Sequence, residues 1–257
     1  MADTQLKAAV FTRSFSILTI TAISALCVLM ALGSWQVKRL HWKEALIARV
    51  EAKINAPSVP LSDFLPIPSA QQAEQQDVEY SRVRLVGTFD HTKEYFYFAT
   101  LDGAPGFHVY TPLKISGLGA SSKIVFVNRG FVPNDKKAIE TRSDSVTSGE
   151  VTITGLFRWP DAAKPNRFIP DNDVKAGIFF WRDLALMRTE AGYSDNQVHP
   201  FFVYADKQQG AGLPIGGVTI VEFPNSHLAY AITWFGLALT LIGVYSALLI
   251  GRIKGQA

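Results

Sequence analysis

Residues 14–37 read SFSILTITAISALCVLMALGSWQV, and residues 227–251 read HLAYAITWFGLALTLIGVYSALLIG. Neither carries a formal charge, and the uncharged run of the second reaches back to Phe223. Each exceeds the roughly 20 residues that take a helix across a hydrocarbon core about 30 Å thick. Trp35 closes the first run, and Tyr230 and Trp234 stand near the start of the second, as interfacial aromatics do. The two runs predict a membrane α + β fold: two transmembrane helices at the chain ends, flanking a β-rich, mainly antiparallel extramembrane domain with one or two short helices. The expected divisions are a cytoplasmic tail (1–13), a first span (14–37), an extracytoplasmic domain (38–222), a second span with its N-terminal cap (223–251) and a cytoplasmic tail (252–257).

A cleaved secretory signal is the alternative reading of the first run. Lys7 and Arg13 form a basic n-region, and Ala31-Leu32-Gly33 has small residues at cleavage spacing. The run is longer than a usual signal core, however, and flows without a break into Trp35-Gln36-Val37-Lys38-Arg39-Leu40, so an anchor is expected. Lys7, Arg13, Arg252 and Lys254 make both short tails basic, which places both termini in the cytoplasm of a bacterial inner membrane and the central domain in the periplasm. Lys38, Arg39 and Lys43 oppose that orientation, but long loops cross largely regardless of charge.

Charge is sparse elsewhere too: 18% of the 257 residues are charged, against about 25% in soluble domains. The formal charge is +3; setting aside Asp3 and the four basic tail residues leaves 21 basic and 21 acidic residues between Lys38 and Glu222. A balanced domain has no electrostatic footprint for nucleic acid. Cys27 is the single cysteine, which excludes intramolecular disulfides, CxxC redox chemistry and cysteine-based zinc or copper sites. Three methionines leave no Met-rich copper site.

In the central region, Arg39–Ile54 is expected to extend the first span as a helix, with Trp42, Leu46, Val50 and Ile54 on one face and Asn55-Ala56-Pro57 as its stop. Residues 57–76 read as a surface loop. Arg82–Phe89 alternates polar and apolar residues as a half-buried strand does. Further strands are expected over Glu94–Thr100, Phe107–Ile115, Lys123–Phe131, Glu150–Trp159, Phe201–Tyr204 and Gly217–Phe223, with Asp102-Gly103 as a turn and Gly210, Gly212, Gly216 and Gly217 in a hairpin connection. A short helix is expected within Arg182–Ala191. The polar segment Asn134–Gly149 reads as a mobile loop.

Several motifs occur in a telling order: LGSWQVKRL at 32–40, YSRV at 80–83, GTF at 87–89, GFHV at 106–109, TPL at 111–113, VNRGFVP at 127–133 and NSHLAYAITWF at 225–235. In this order and within a two-span frame the chain resembles the Surfeit locus protein 1 family, assembly factors of haem-copper cytochrome c oxidase. Ser226 stands where that family more often has a second Asn, and Phe131 where it more often has Trp. The resemblance implies a non-catalytic role, with haem a as a transient, non-covalently bound cofactor. The implied partners are oxidase subunit I, other assembly factors or haem a synthase, and the lipid bilayer. A membrane-anchored scaffold that carries no haem is the alternative. An envelope enzyme is a third class, but GxSxG, HExxH, GxGxxG and P-loop motifs are all lacking.

His227 matches the family's haem-binding motif and is the candidate iron ligand, with Tyr230, Trp234 and Arg129 as further cofactor-binding candidates. His227 follows Asn225 and Ser226, either of which suits an N-cap. At a helix N-terminus the dipole disfavours the imidazolium and favours anionic groups such as propionates. Helical spacing puts His227, Tyr230, Ala231, Trp234 and Ala238 on one face, with Ala231 and Ala238 expected to leave room for a flat macrocycle. An interfacial histidine is otherwise simply an amphipathic residue bonded to water or backbone. Arg129 offers a planar fork for a propionate or an acidic partner; an internal salt bridge is its structural alternative. Arg39 reads either way, as a propionate partner or a headgroup contact. His41, His91, His108 and His199 are weaker ligand candidates, and Asp171, Asp173 and Asp183 are carboxylates that sequence alone cannot pair.

Overall fold

A computed structural model describes residues 12–64, 78–117, 123–207, 212–218 and 223–254. The first element, α1 (Arg13–Ile54), is a single helix of 42 residues, about 63 Å long at 1.5 Å per residue. It runs unbroken through Ala31-Leu32-Gly33 and, as its residues predict, past the apolar run to Asn55, whose N–H and side-chain amide both bond the Glu51 carbonyl. The last element, α3 (His227–Lys254), ends in Arg252 and Lys254. Both helices are long and apolar enough to cross a membrane, and only 6% of each apolar window is buried, the reverse of a soluble core helix.

α1 and α3 lie antiparallel. Thr19 Oγ1 meets the Tyr245 hydroxyl at 2.7 Å, and Phe15 stacks on the Tyr245 ring with centroids 6.2 Å apart. Arg252 donates to Thr12 Oγ1 at 2.9 Å. Near the other end Gly33 faces the Phe235 ring so closely that a Cβ there would sit 2.7 Å from Phe235 Cε1. Gly33→Val should therefore loosen the helix pair by about 1–3 kcal/mol, the usual penalty of overpacking. Thermal unfolding of the detergent-solubilised chain measures this, and adding Phe235→Ala should recover part of the loss; equal stability of wild type and Gly33→Val would show the contact to be slack.

Among the described residues the central unit forms a sheet of eight strands: β1 (Val59–Pro60), β2 (Arg82–Phe89), β3 (Tyr95–Leu101), β4 (Ala104–Ile115), β5 (Ile124–Pro133), β6 (Val151–Arg158), β7 (Ile178–Phe179) and β8 (Val198–Ala205). Their order is β1-β2-β6-β8-β5-β4-β3-β7, and an extra β2–β4 pairing closes the five strands β2, β6, β8, β5 and β4 into a barrel. Pairing is mainly antiparallel, as expected, but β1–β2, β3–β7 and β5–β8 run parallel. At the closure Gly87 faces the Lys114 carbonyl, where any Cβ would collide. The β3–β4 hairpin turns through Asp102 (φ 50°) and Gly103 (φ 81°), the positive pair that a two-residue turn matching strand twist requires.

β2 buries alternate residues, Val83, Leu85, Gly87 and Phe89, as its sequence predicts. β5 and β8 are covered on both faces, and Ile124–Val127 and Phe201–Val203 within them read as unbroken apolar runs. Val125, Val127, Phe201 and Val203 join one core with Leu85, Leu113, Ile153 and Phe157. Phe126 and Phe202 point the other way, into a second core with Tyr95, Tyr110, Phe179 and Met187. Met187 belongs to α2 (Leu184–Glu190), the expected short helix, whose N-cap Asp183 accepts from the Leu186 N–H at 2.9 Å.

Three sequence expectations need correction. Asn134–Gly149 holds two 3-10 turns, Asn134–Lys136 and Ile139–Ser145, where a mobile loop is expected, because Arg142 turns inward. Its guanidinium donates to the Lys136 carbonyl (3.1 Å), the Lys137 carbonyl (3.2 Å), Ser145 Oγ (3.0 Å) and the Glu94 carboxylate. The segment after Pro57 joins the domain at its described start: β1 pairs with β2, and Leu61 in the 3-10 turn Leu61–Phe64 enters the first core, while 65–77 lie outside the described residues. The strand expected at Gly217–Phe223 is not formed at its described ends. Gly217 sits in a turn at φ 70°, Ile215 exchanges two backbone bonds with Phe131, and 219–222 and Gly210 lie outside the described residues.

Candidate functional site

The first intrahelical bond of α3 runs from the Tyr230 N–H to the Ser226 carbonyl, which makes Ser226 the N-cap residue. Asn225 Oδ1 accepts from the His227 N–H at 3.4 Å. His227 therefore occupies the first helical position, where the chain turns from Pro224-Asn225-Ser226 into the apolar run. Its Nδ1 lies 2.8 Å from Oε1 of Gln36, a residue of α1 that is only 8% exposed. An amide oxygen can only accept, so Nδ1 is the nitrogen placed to donate to Gln36, and in the neutral ring of that tautomer Nε2 keeps its lone pair. Among the described residues Nε2 has no hydrogen-bond partner.

The surroundings of His227 differ from expectation. Ala231 and Ala238 are buried rather than open, because they share the helical face that meets α1 through His227 and Phe235. No macrocycle fits over those two methyls. Tyr230, at 53% exposure, and Trp234, half-buried, follow about one and two turns along α3 from His227.

The remaining sequence candidates are used elsewhere. Arg129 is buried in the β domain, donating to Glu94 Oε1 at 3.1 Å and to the Ser145 carbonyl, with its guanidinium 5.0 Å from the Phe89 ring centre. Its fork is already occupied, which is the internal salt bridge and not a propionate contact. Arg39 lies over the Trp42 ring at 4.0 Å. His41 is exposed on α1. Asp183 caps α2, Asp171 pairs with Lys164, and Asp173 accepts from the Ala176 N–H, so the three carboxylates work separately.

The sequence did not point to Glu94, which the fold places between Arg129 and Arg142 with His91 beside it. Burial on its own would raise the Glu94 pKa. Hydrogen bonds from His91 and Arg142 and the charges of both arginines overcome that and hold it below the ordinary value. Burial also pulls the Arg129 guanidinium down to about 10, leaving it charged at neutral pH.

His108, against the Tyr97 and Phe131 rings, and His199, beside Phe201, are both held near a pKa of about 4, chiefly by burial. His108 Nδ1 and His199 Nε2 are buried without a partner among the described residues. Both rings stay neutral in the fold below the pH at which the unfolded chain, near 6.5, takes up protons. The unfolded state then binds more protons, so stability falls as pH drops from 6.5 toward 4 and is unaffected above that window. Thermal unfolding should show a flat midpoint above pH 7 and a decline below 6.5, and His108→Phe should flatten the decline. An unchanged slope would remove His108 from the account.

Among the described residues no three His, Cys, Asp or Glu side chains converge to hold a bare metal ion. The match to known proteins is broad. The SURF1 family model covers residues 23–239. Surfeit locus protein 1 of Rattus norvegicus is 36% identical over 222 residues, 80% of this chain and 67% of the relative. That of Homo sapiens is 35% identical over 224 residues, 80% of this chain and 69% of the relative. That of Takifugu rubripes is 35% identical over 240 residues, 87% of this chain and 93% of the relative.

The chain belongs to the SURF1 family.

The matched stretch of this SURF1-family chain takes in both halves of the helix pair around Gln36 and His227 and the whole barrel. The motif residues carry distinct parts of the fold: Gly33 and Gln36 meet α3, Gly87 closes the barrel, Asn128 Oδ1 accepts from the Gly130 N–H within β5, and His227 opens α3.

Proposed function

We propose that this chain is a cytochrome c oxidase assembly factor that holds haem a through His227 Nε2 and assists its delivery to subunit I. The observation that carries the reading is the oriented imidazole. Gln36 Oε1 faces Nδ1 as its hydrogen-bond acceptor, and Nε2 has no hydrogen-bond partner among the described residues. A bare ion needs several protein ligands, whereas a porphyrin brings four nitrogens and asks the protein for one or two axial bonds. One histidine without a surrounding ligand cluster suits the second case. When bound, the group supplies redox-active iron to the oxidase, not chemistry to this chain.

The residues of the chain bind and orient. His227 would hold the group through Nε2 by one reversible bond, and Tyr230 and Trp234, about one and two turns further along α3, would supply aromatic surface to it. The N-terminus of α3 favours propionates. CxxCH is absent, so attachment is non-covalent. The β-barrel domain, with no net charge bias, docks the oxidase or its other assembly factors, including haem a synthase. The basic tails support a bacterial inner membrane with both termini cytoplasmic and the barrel periplasmic.

The test is the optical spectrum of the detergent-purified full chain, expressed in a host that makes haem a. A bound haem a species is expected. Colourless protein that still co-purifies with oxidase subunits would overturn carriage and leave the scaffold.

A further inference from the structure

We infer that Gln36 is a positioning residue that selects the ligand nitrogen of His227, through the contact of Gln36 Oε1 with His227 Nδ1 across the helix pair. The inference rests on the haem reading for its consequence, but not for its chemistry. A neutral imidazole has two tautomers, and only the one protonated on Nδ1 offers Nε2 to iron. In water or lipid headgroups the two interconvert freely. Here the acceptor is fixed: Gln36 is buried, its oxygen sits 2.8 Å from Nδ1, and α1 supplies it from a position 191 residues away in the chain.

An amide in an otherwise apolar run is costly unless it finds a partner, and helix pairs in membranes join through such side chains. Three residues before it, Gly33 lets α3 approach closely through Phe235, which brings the ring within reach of the amide. Metal-ligating histidines commonly donate their second N–H to an oxygen, and removing that acceptor costs 10–100-fold in metal affinity. Iron at Nε2 draws electron density from the ring and makes Nδ1–H a stronger donor. Loading and helix pairing at this point therefore reinforce each other.

The experiment has an arm free of haem and an arm with it. In the haem-free arm, nitrogen NMR of the full chain in detergent, with ring-labelled histidine and His227→Ala to assign the signal, reads the tautomer directly. The wild type should show Nδ1–H, and Gln36→Leu a mixture. A wild-type ring protonated on Nε2, or a Gln36→Leu ring unchanged from wild type, would overturn the inference. In the haem arm, Gln36→Leu should weaken haem a binding about 10–100-fold. Gln36→Glu, which keeps an acceptor, should retain binding and lower the midpoint potential, because a carboxylate makes the imidazole more basic. Affinity and potential unchanged in both variants, while His227→Ala loses haem, would sink the positioning role and spare the haem reading. Equal failure of wild type and His227→Ala to bind haem would sink the reading, and the tautomer arm would still decide what Gln36 does. A purely structural Gln36 would shift the unfolding midpoint but neither the tautomer nor the potential.

Discussion

His227→Ala abolishes haem a retention by the purified protein, with a loss of at least 100-fold in affinity as the expected result. The substitution deletes the one axial bond the chain is proposed to provide, and nothing nearby replaces it: His41 is exposed on α1, and the other histidines belong to the barrel. α3 itself should persist, although the buried Gln36 amide loses its partner and the helix pair is loosened there. The first turn of α3 is capped by Ser226 and Asn225 through backbone groups that alanine keeps, and alanine is the best helix former. Membrane insertion and yield should be unchanged. Supplying imidazole in solution should restore part of the absorption, because it returns a nitrogen to the emptied position. A Soret band of wild-type height in His227→Ala, measured per mole of protein, would remove the proposed ligand.

The second large effect lies in the barrel domain. Glu94→Leu leaves Arg129 and Arg142 buried and facing each other, with side chains 8% and 1% exposed. Breaking a buried pair by removing one partner costs about 3–5 kcal/mol, because the remaining charge is stranded. For a unit of this size that is a fall of roughly 10 °C in the unfolding midpoint. Arg142 also holds the 3-10 turns of 134–145, so trypsin should cut at Lys136 or Lys137 sooner in the variant. Glu94→Gln, which keeps the shape and one acceptor oxygen but loses the charge and turns an NH2 toward one of the arginines, should fall between. A midpoint within about 2 °C of wild type for Glu94→Leu, below the shift that even 1 kcal/mol would give, would show that the arginines find water instead.

The frame of the fold was legible because its signals are local. An uncharged run longer than a bilayer is thick reads as a span wherever it occurs, and Arg82-Val83-Arg84-Leu85 shows its two faces within four residues. Asp102-Gly103 announced its own turn. Sequence alone could not show that β5 and β8, separated by β6, β7 and α2, lie side by side in parallel, nor that β2 pairs with β4 to close a barrel. Nor could it show the inward turn of Arg142, since KKAIETRSD has the composition of a solvated loop and only the position of Glu94 makes it otherwise. At the candidate site His227 was visible and Gln36 was not. The amide was a hint, an unpaired polar group in an apolar run, but its partner lies on another helix. Ala231 and Ala238 misled for the same reason: small residues mark a close approach, and sequence does not say whether a cofactor or a neighbouring helix makes it.

The barrel's strand order also governs how this chain emerges from the ribosome. β8 is inserted between β5 and β6, so until Ala205 has been synthesised both of those strands present a bare edge, and bare edges recruit other chains. The second span begins 22 residues after Ala205, at His227. A nonsense or frameshift lesion between β5 and β8 thus yields a membrane-tethered, half-built sheet with no second anchor, a species for quality-control proteases rather than a partially active protein.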